Sequence, residues 1–271
     1  MRLFDEFTVI AALHLLPFPA SRHPDARPIA EIAERALANV RAAYENGIRT
    51  LYIQDLGDAP IAPHVEPHTI VGVTAVGAAI RREFPDLVLG VCLMSHGARE
   101  PLAIAQAIGA QFVRIKVYVG AMVKAEGILQ GCAFEAIQYR AQIGAEDISI
   151  FADVYDRTGE PLGQLPLAEA ARQAATFGRA DALILTGKSL EESKAMLSEV
   201  QAAKLGVPLL LGGGATAQNL DQVKPLCNGV IVSTAFKHAG GWAQESFGAE
   251  WDGARIRMFM EAAQSGSQGN L

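Results

Sequence analysis

The chain has 271 residues, half of them hydrophobic and 19% charged, which allows a large buried core and gives no sign of a long disordered tail. A formal net charge of −6 with no Lys/Arg cluster argues against a nucleic-acid partner or an anionic membrane surface. Three widely spaced cysteines, Cys92, Cys132 and Cys227, have neither CxxC nor Cys/His spacing, which argues against a disulfide framework and a structural zinc.

In chain order, short aliphatic runs alternate with helix-compatible stretches. Residues 7–14 read as a strand, and 17–24 as a loop because its prolines supply no ladder donors. Pro17 and Pro19 also break the first apolar run, so neither a signal peptide nor a membrane span is expected, and a cytoplasmic protein is. Over 29–46, Ile32, Ala33, Ala36, Leu37, Val40, Ala43 and Tyr44 recur at helical spacing and stop at Asn46-Gly47. The second unit is a strand over 50–55, a proline-punctuated loop over 57–67 and a helix over 69–84. The third is a strand over 87–93, a loop over 94–97 and a helix over 100–108.

The fourth strand, 112–117, precedes a long loop over 118–131 and a helix over 132–143. The fifth, 148–153, precedes a second long loop over 154–165 and a helix over 167–177. Strand 182–185 closes at Thr186-Gly187, after which Ser189 and Glu192 form a capping box. Strand 207–211 ends in Gly212-Gly213-Gly214 and leads into a helix over 217–224. Strand 229–232 ends in Ser233-Thr234, and a helix over 251–263 and a frayed tail over 265–271 finish the chain. Eight such units predict an α/β fold, a single (β/α)8 TIM barrel over residues 1–271. The alternative, an open doubly wound sheet, needs a glycine fingerprint after the first strand, where this chain has Leu15-Leu16-Pro17.

In such a barrel, chemistry gathers where the strands end. The triple glycine exposes bare backbone N–H groups, and a second small-residue strand end follows it. Together Gly187, Gly213, Gly214, Ser233 and Thr234 predict a phosphate cradle. Side chains alternate along a strand. With Val113, Ile115 and Val117 facing helices, Arg114, Lys116 and Tyr118 are expected inside, as are Ser149, Phe151 and Asp153. His14 shares a face with Ile10 and Ala12, and Asp55 shares one with Leu51 and Ile53. Buried charges must be paired or functional. Arg114 is expected in a structural ion pair, and Lys116, nearer the mouth, is the catalytic candidate together with Asp153, His14 and Asp55. Asp55 and Asp58 read equally well as turn and cap residues. His23, His64 and His68 lie in proline-rich loops without ligand spacing, so neither a metal nor another cofactor is expected.

His14-Leu-Leu-Pro17, Gly57-Asp58-Ala-Pro60, the run from Arg114 to Met122, Gly127 to Gly131, Ala152-Asp153-Val and Gly212 to Thr216 together resemble the BtpA/SgcQ family over nearly the whole chain. The resemblance implies a ribulose-phosphate-binding type of barrel. It also implies two kinds of role, because the family is named partly for a photosystem I biogenesis protein, while other members accompany sugar-catabolism genes. The chain departs from the family pattern at Asp55 and Lys116, where the family leads one to expect Asn, and at Tyr155-Asp-Arg-Thr, where it leads one to expect a His-containing segment.

The expected function is an enzyme on a small phosphorylated carbohydrate-like metabolite, working as an aldolase, epimerase or isomerase. The phosphate would anchor the substrate, Lys116 would polarise or attack a carbonyl, and Asp153, Asp55 and His14 would move protons. The two long loops would close over it. The alternatives are a BtpA-like assembly factor for a membrane complex and a binding barrel without chemistry, and a homo-oligomer stays open.

Overall fold

The computed structural model describes residues 3–238 and 248–265. Its frame is a closed parallel barrel. Eight strands form it: β1 (Thr8–His14), β2 (Thr50–Gln54), β3 (Val88–Cys92), β4 (Phe112–Ile115), β7 (Ser149–Asp153), β9 (Ala182–Leu185), β10 (Leu209–Leu211) and β11 (Gly229–Val232). They hydrogen-bond in the order β1-β11-β10-β9-β7-β4-β3-β2, and the ring closes where Thr8 pairs with Gly229 and Ile10 with Thr50. Helices α1 (Ile29–Glu45), α2 (Pro67–Glu83), α3 (Arg99–Ile108), α4 (Ala133–Gln142), α5 (Leu167–Arg172), α6 (Leu190–Ala202), α7 (Leu220–Val223) and α8 (Gly253–Gln264) follow the strands in turn. The chain is therefore a (β/α)8 barrel, and the open-sheet alternative is set aside by the β1–β11 ladder.

Strand alternation divides the core in two. Val9, Ala11, Leu13, Leu51, Ile53, Val113 and Ile115 join the helices in an outer layer. Ile10, Ala12, Tyr52, Cys92, Phe112, Phe151, Ala182, Ile184, Leu210 and Ile231 fill the barrel itself. Phe112 stacks on Phe151 with ring centroids 4.5 Å apart, and Phe4 plugs the lower end against Phe151 at 5.6 Å. Gly90 makes room for that stack, because a Cβ there would overlap the Phe112 ring. The interior is thus packed solid below and opens only at the strands' C-terminal ends.

Two long connections differ from expectation. Residues 118–131 hold a hairpin, β5 (Ala121–Lys124) and β6 (Gly127–Gln130), and the loop after β7 adds β8 (Glu160–Pro161). These make a three-stranded antiparallel sheet in the order β6-β5-β8. Val117, Met122 and Leu129 form its own small core. A buried ion pair, Lys124 Nζ to Asp156 Oδ2 at 2.5 Å, ties the two connections together. The sequence reads here as loop because the turn, Ala125-Glu126, lacks the Asn-Gly or Asp-Gly signal of short hairpins. Helix α7 is shorter than predicted, since Asn219 caps the preceding turn by accepting from Thr216 N–H and donating to the Gly214 carbonyl. Of the predicted frayed tail, 266–271 lie outside the described residues.

Candidate functional site

The mouth of the barrel holds a cavity of about 440 Å³. One side is made by the ends of β9, β10 and β11: Thr186, Gly212, Gly213, Gly214, Ser233 and Thr234 all line it. The N–H of Gly212 closes the ladder to Leu185 at 2.9 Å. Past that point the chain leaves the sheet, and the N–H groups of Gly213, Gly214 and Thr234 donate to no group among the described residues. A Cβ at Gly213 would meet nothing, and Gly214 has a left-handed φ of +83°, which glycine adopts without strain. Thr186 approaches so closely that a Cβ at Gly212 would overlap its hydroxyl oxygen. That oxygen is buried with no partner among the described residues, although buried hydroxyls are ordinarily hydrogen-bonded.

The opposite side is charged. Arg114 grips Asp153 with two hydrogen bonds, Nε to Oδ1 at 3.0 Å and Nη2 to Oδ2 at 2.9 Å, and donates a third to the Tyr52 hydroxyl at 2.7 Å. Burial pushes the Asp153 carboxyl upward against the pull of the guanidinium, while the pair keeps Arg114 charged. Lys116, just past the end of β4, donates to the Met94 thioether at 3.4 Å, and Gln54 donates to the same sulfur at 3.1 Å. Burial, then the nearby Lys124, lowers the Lys116 ammonium below its ordinary value. Asp156 also lines the cavity. Burial opposes its ionisation, but Lys116 and Lys124 overcome this and hold its pKa at about 2.

His14, at the end of β1, has Nδ1 3.5 Å from Ser233 Oγ and 3.4 Å from Lys237 Nζ. Burial first, then Lys237 and Arg114, push its pKa down to about 3, so the imidazole is neutral at physiological pH. Lys237 is itself buried, which brings it down to about 8.

Against this geometry the sequence can be compared with known proteins. The profile of the BtpA family matches residues 5–265. The chain belongs to the BtpA family. An uncharacterized protein of Archaeoglobus fulgidus is 32% identical over 96% of this chain and 99% of its own length. The photosystem I biogenesis protein BtpA of Synechocystis sp. is 30% identical over 98% of this chain and 92% of that protein. Among solved structures, phosphoribosyl anthranilate isomerase from Thermus thermophilus shares the fold with a TM-score of 0.54, at 15% identity over 96% of this chain and 99% of that one.

In this BtpA-family barrel the residues singled out from the sequence fall into two groups. Lys116, Asp153, His14, Arg114, Gly213, Gly214, Ser233 and Thr234 meet in one cavity. Asp55, Asp58, Tyr118 and Gly187 do not line it. Asp55 follows the face of Leu51 and Ile53, which is the outer layer, and its carboxylate accepts from Met94 N–H at 2.8 Å. Burial raises its pKa to about 6. Asp58 accepts from Phe18 N–H at 2.8 Å and pins the first loop. Tyr118 breaks the predicted alternation because β4 ends at Ile115. Its ring packs in the outer layer, and its hydroxyl donates to the Gly178 carbonyl. The Gly187 N–H is taken by Ser193 Oγ at 2.9 Å, so it is not open to a phosphate.

Sequence reasoning passed over Thr186, Asp156, Arg157 and Lys237. Thr186 carried a usable signal, since it continues the inward face of Ala182 and Ile184. Asp156 and Arg157 sit in an irregular loop, and Lys237 follows a one-turn 3-10 segment, Thr234–Phe236, so no periodicity marked them.

Proposed function

We propose that this BtpA-family barrel binds a small phosphorylated, carbohydrate-like metabolite in the cavity at its mouth. The observation that carries the reading is the unmet hydrogen bonding at the ends of β10 and β11. The N–H groups of Gly213, Gly214 and Thr234 line the cavity and donate to no group among the described residues, and an anion's oxygens would accept from them. Any chemistry would run beside a carbonyl, with Lys116 as its cation or amine. Neutral His14 would serve as a hydrogen-bond donor or proton carrier, and Asp153, both of whose oxygens face Arg114, would help to fix the charge of the site. The test is a thermal-shift screen of sugar phosphates. A ligand at 100 times its Kd adds about 2.7 kcal/mol of stability, and Gly213→Asp, which puts a carboxylate where a Cβ meets nothing, abolishes the shift. Phosphate esters that leave the melting temperature unchanged refute the reading.

A second reading, an assembly or stability role of the BtpA type, is favoured by the 30% identity to the Synechocystis biogenesis protein across nearly the full length of both chains. The comparisons lend more weight to this role than to any particular reaction. Expressing this chain in a Synechocystis strain lacking its own BtpA should restore photosystem I. Normal accumulation of the chain without restoration counts against the role.

A further inference from the structure

The charges opposite the glycine turn define what the rest of the ligand must carry. The cavity lining includes three cationic side chains, Arg114, Lys116 and Arg157, and two carboxylates, Asp153 and Asp156. Each carboxylate is already committed. Asp153 gives both oxygens to Arg114, and Asp156 accepts from Lys124 and from the N–H and hydroxyl of Thr158. Lys116 stands differently: among the described residues its one hydrogen-bond partner is the Met94 thioether, and no carboxylate lies within 4.0 Å of its ammonium. A thioether is a weak acceptor, and a half-buried ammonium at the cavity wall whose hydrogen bonding is met so weakly favours an incoming anion.

We propose that the ligand is two-headed, with its phosphate at the Gly213-Gly214 turn and a carboxylate at the other end, held by Lys116 in the cationic half of the cavity. Chemically this is a phosphorylated sugar acid rather than a neutral sugar phosphate. The proposal rests on the phosphate reading above and adds to it the second anion. The carboxylate would replace the sulfur as the stronger acceptor for Lys116 Nζ. Asp156 acts on Lys116 only through space, because its hydrogen bonds go to Lys124 and Thr158, which leaves the Lys116 ammonium open to a direct carboxylate contact.

The test compares matched ligands on the whole chain by titration calorimetry. 6-Phosphogluconate is set against sorbitol 6-phosphate, and 3-phosphoglycerate against glycerol 3-phosphate, each pair differing by carboxylate against hydroxymethyl. In at least one pair the acid is expected to bind about tenfold or more tightly than its partner. Lys116→Met should bring that ratio to about one with little change for the neutral phosphate, and Lys116→Arg should restore part of it. Circular dichroism and the melting temperature check that both variants fold. Equal binding within both pairs, or a ratio that survives Lys116→Met, overturns the second anion while leaving the phosphate reading intact. Failure of all four compounds to bind, or binding that survives Gly213→Asp, removes the phosphate reading and this proposal with it.

Discussion

Thr186 shows how one residue can carry a cost in the fold. Its hydroxyl oxygen is buried without a partner among the described residues, a situation that costs roughly 1–3 kcal/mol, and it packs so close to Gly212 that a Cβ there would overlap it. Thr186→Val is therefore expected to raise stability by about 1 kcal/mol in urea unfolding. A variant no more stable than the parent would mean that the hydroxyl carries no such cost. At this scale the sequence was legible wherever a residue lay within a strand. The alternation that puts Arg114 and Asp153 inside β4 and β7 holds in the structure. Legibility stopped three or more residues past a strand's end, where the pleat no longer fixes direction. Tyr118 turned outward there, and Lys237 came within 3.4 Å of His14 from a segment with no pattern of its own.

At the scale of elements, the eight β/α units followed from hydrophobic periodicity, but the pairing of the two long connections did not. Strands of four and two residues are too short for periodicity to declare, and their stability comes from packing and from the Lys124–Asp156 pair. Both side chains of that pair are nearly buried, at 3% and 6% exposure. Lys124→Met leaves Asp156 without its ammonium partner and should cost about 3–5 kcal/mol, read by denaturant unfolding and by faster proteolysis within 118–165. The double change with Asp156→Asn should recover much of that loss. If the single variant is as stable and as protease-resistant as the parent, the ion pair does not hold the sheet together.

For the whole molecule, acid sensitivity follows from two groups whose pKa values shift in opposite directions. His14 has a pKa of about 3 in the fold against 6.5 when unfolded, so the unfolded chain binds more protons between those values. Its contribution is complete above pH 6.5 and is lost as the pH falls towards 3. Asp55, raised to about 6 from 3.8, binds its proton in the fold first and adds stability as the pH falls from about 6 to 3.8. The His14 interval is the longer, so net stability from this pair should decline between pH 6.5 and 3. His14→Gln should flatten the decline and Asp55→Asn should steepen it, as measured by urea midpoints across the pH series. A His14→Gln profile parallel to the parent's would show that the imidazole titrates normally.

The small antiparallel sheet borrows strands from two different β/α units, β5 and β6 from one and β8 from the next. Neither segment can be lengthened, shortened or exchanged by itself without stripping the other of its hydrogen-bonding edge. Evolution, or a protein engineer redesigning this sheet, has to replace both pieces together, which ties its shape to paired changes at two separate places in the gene.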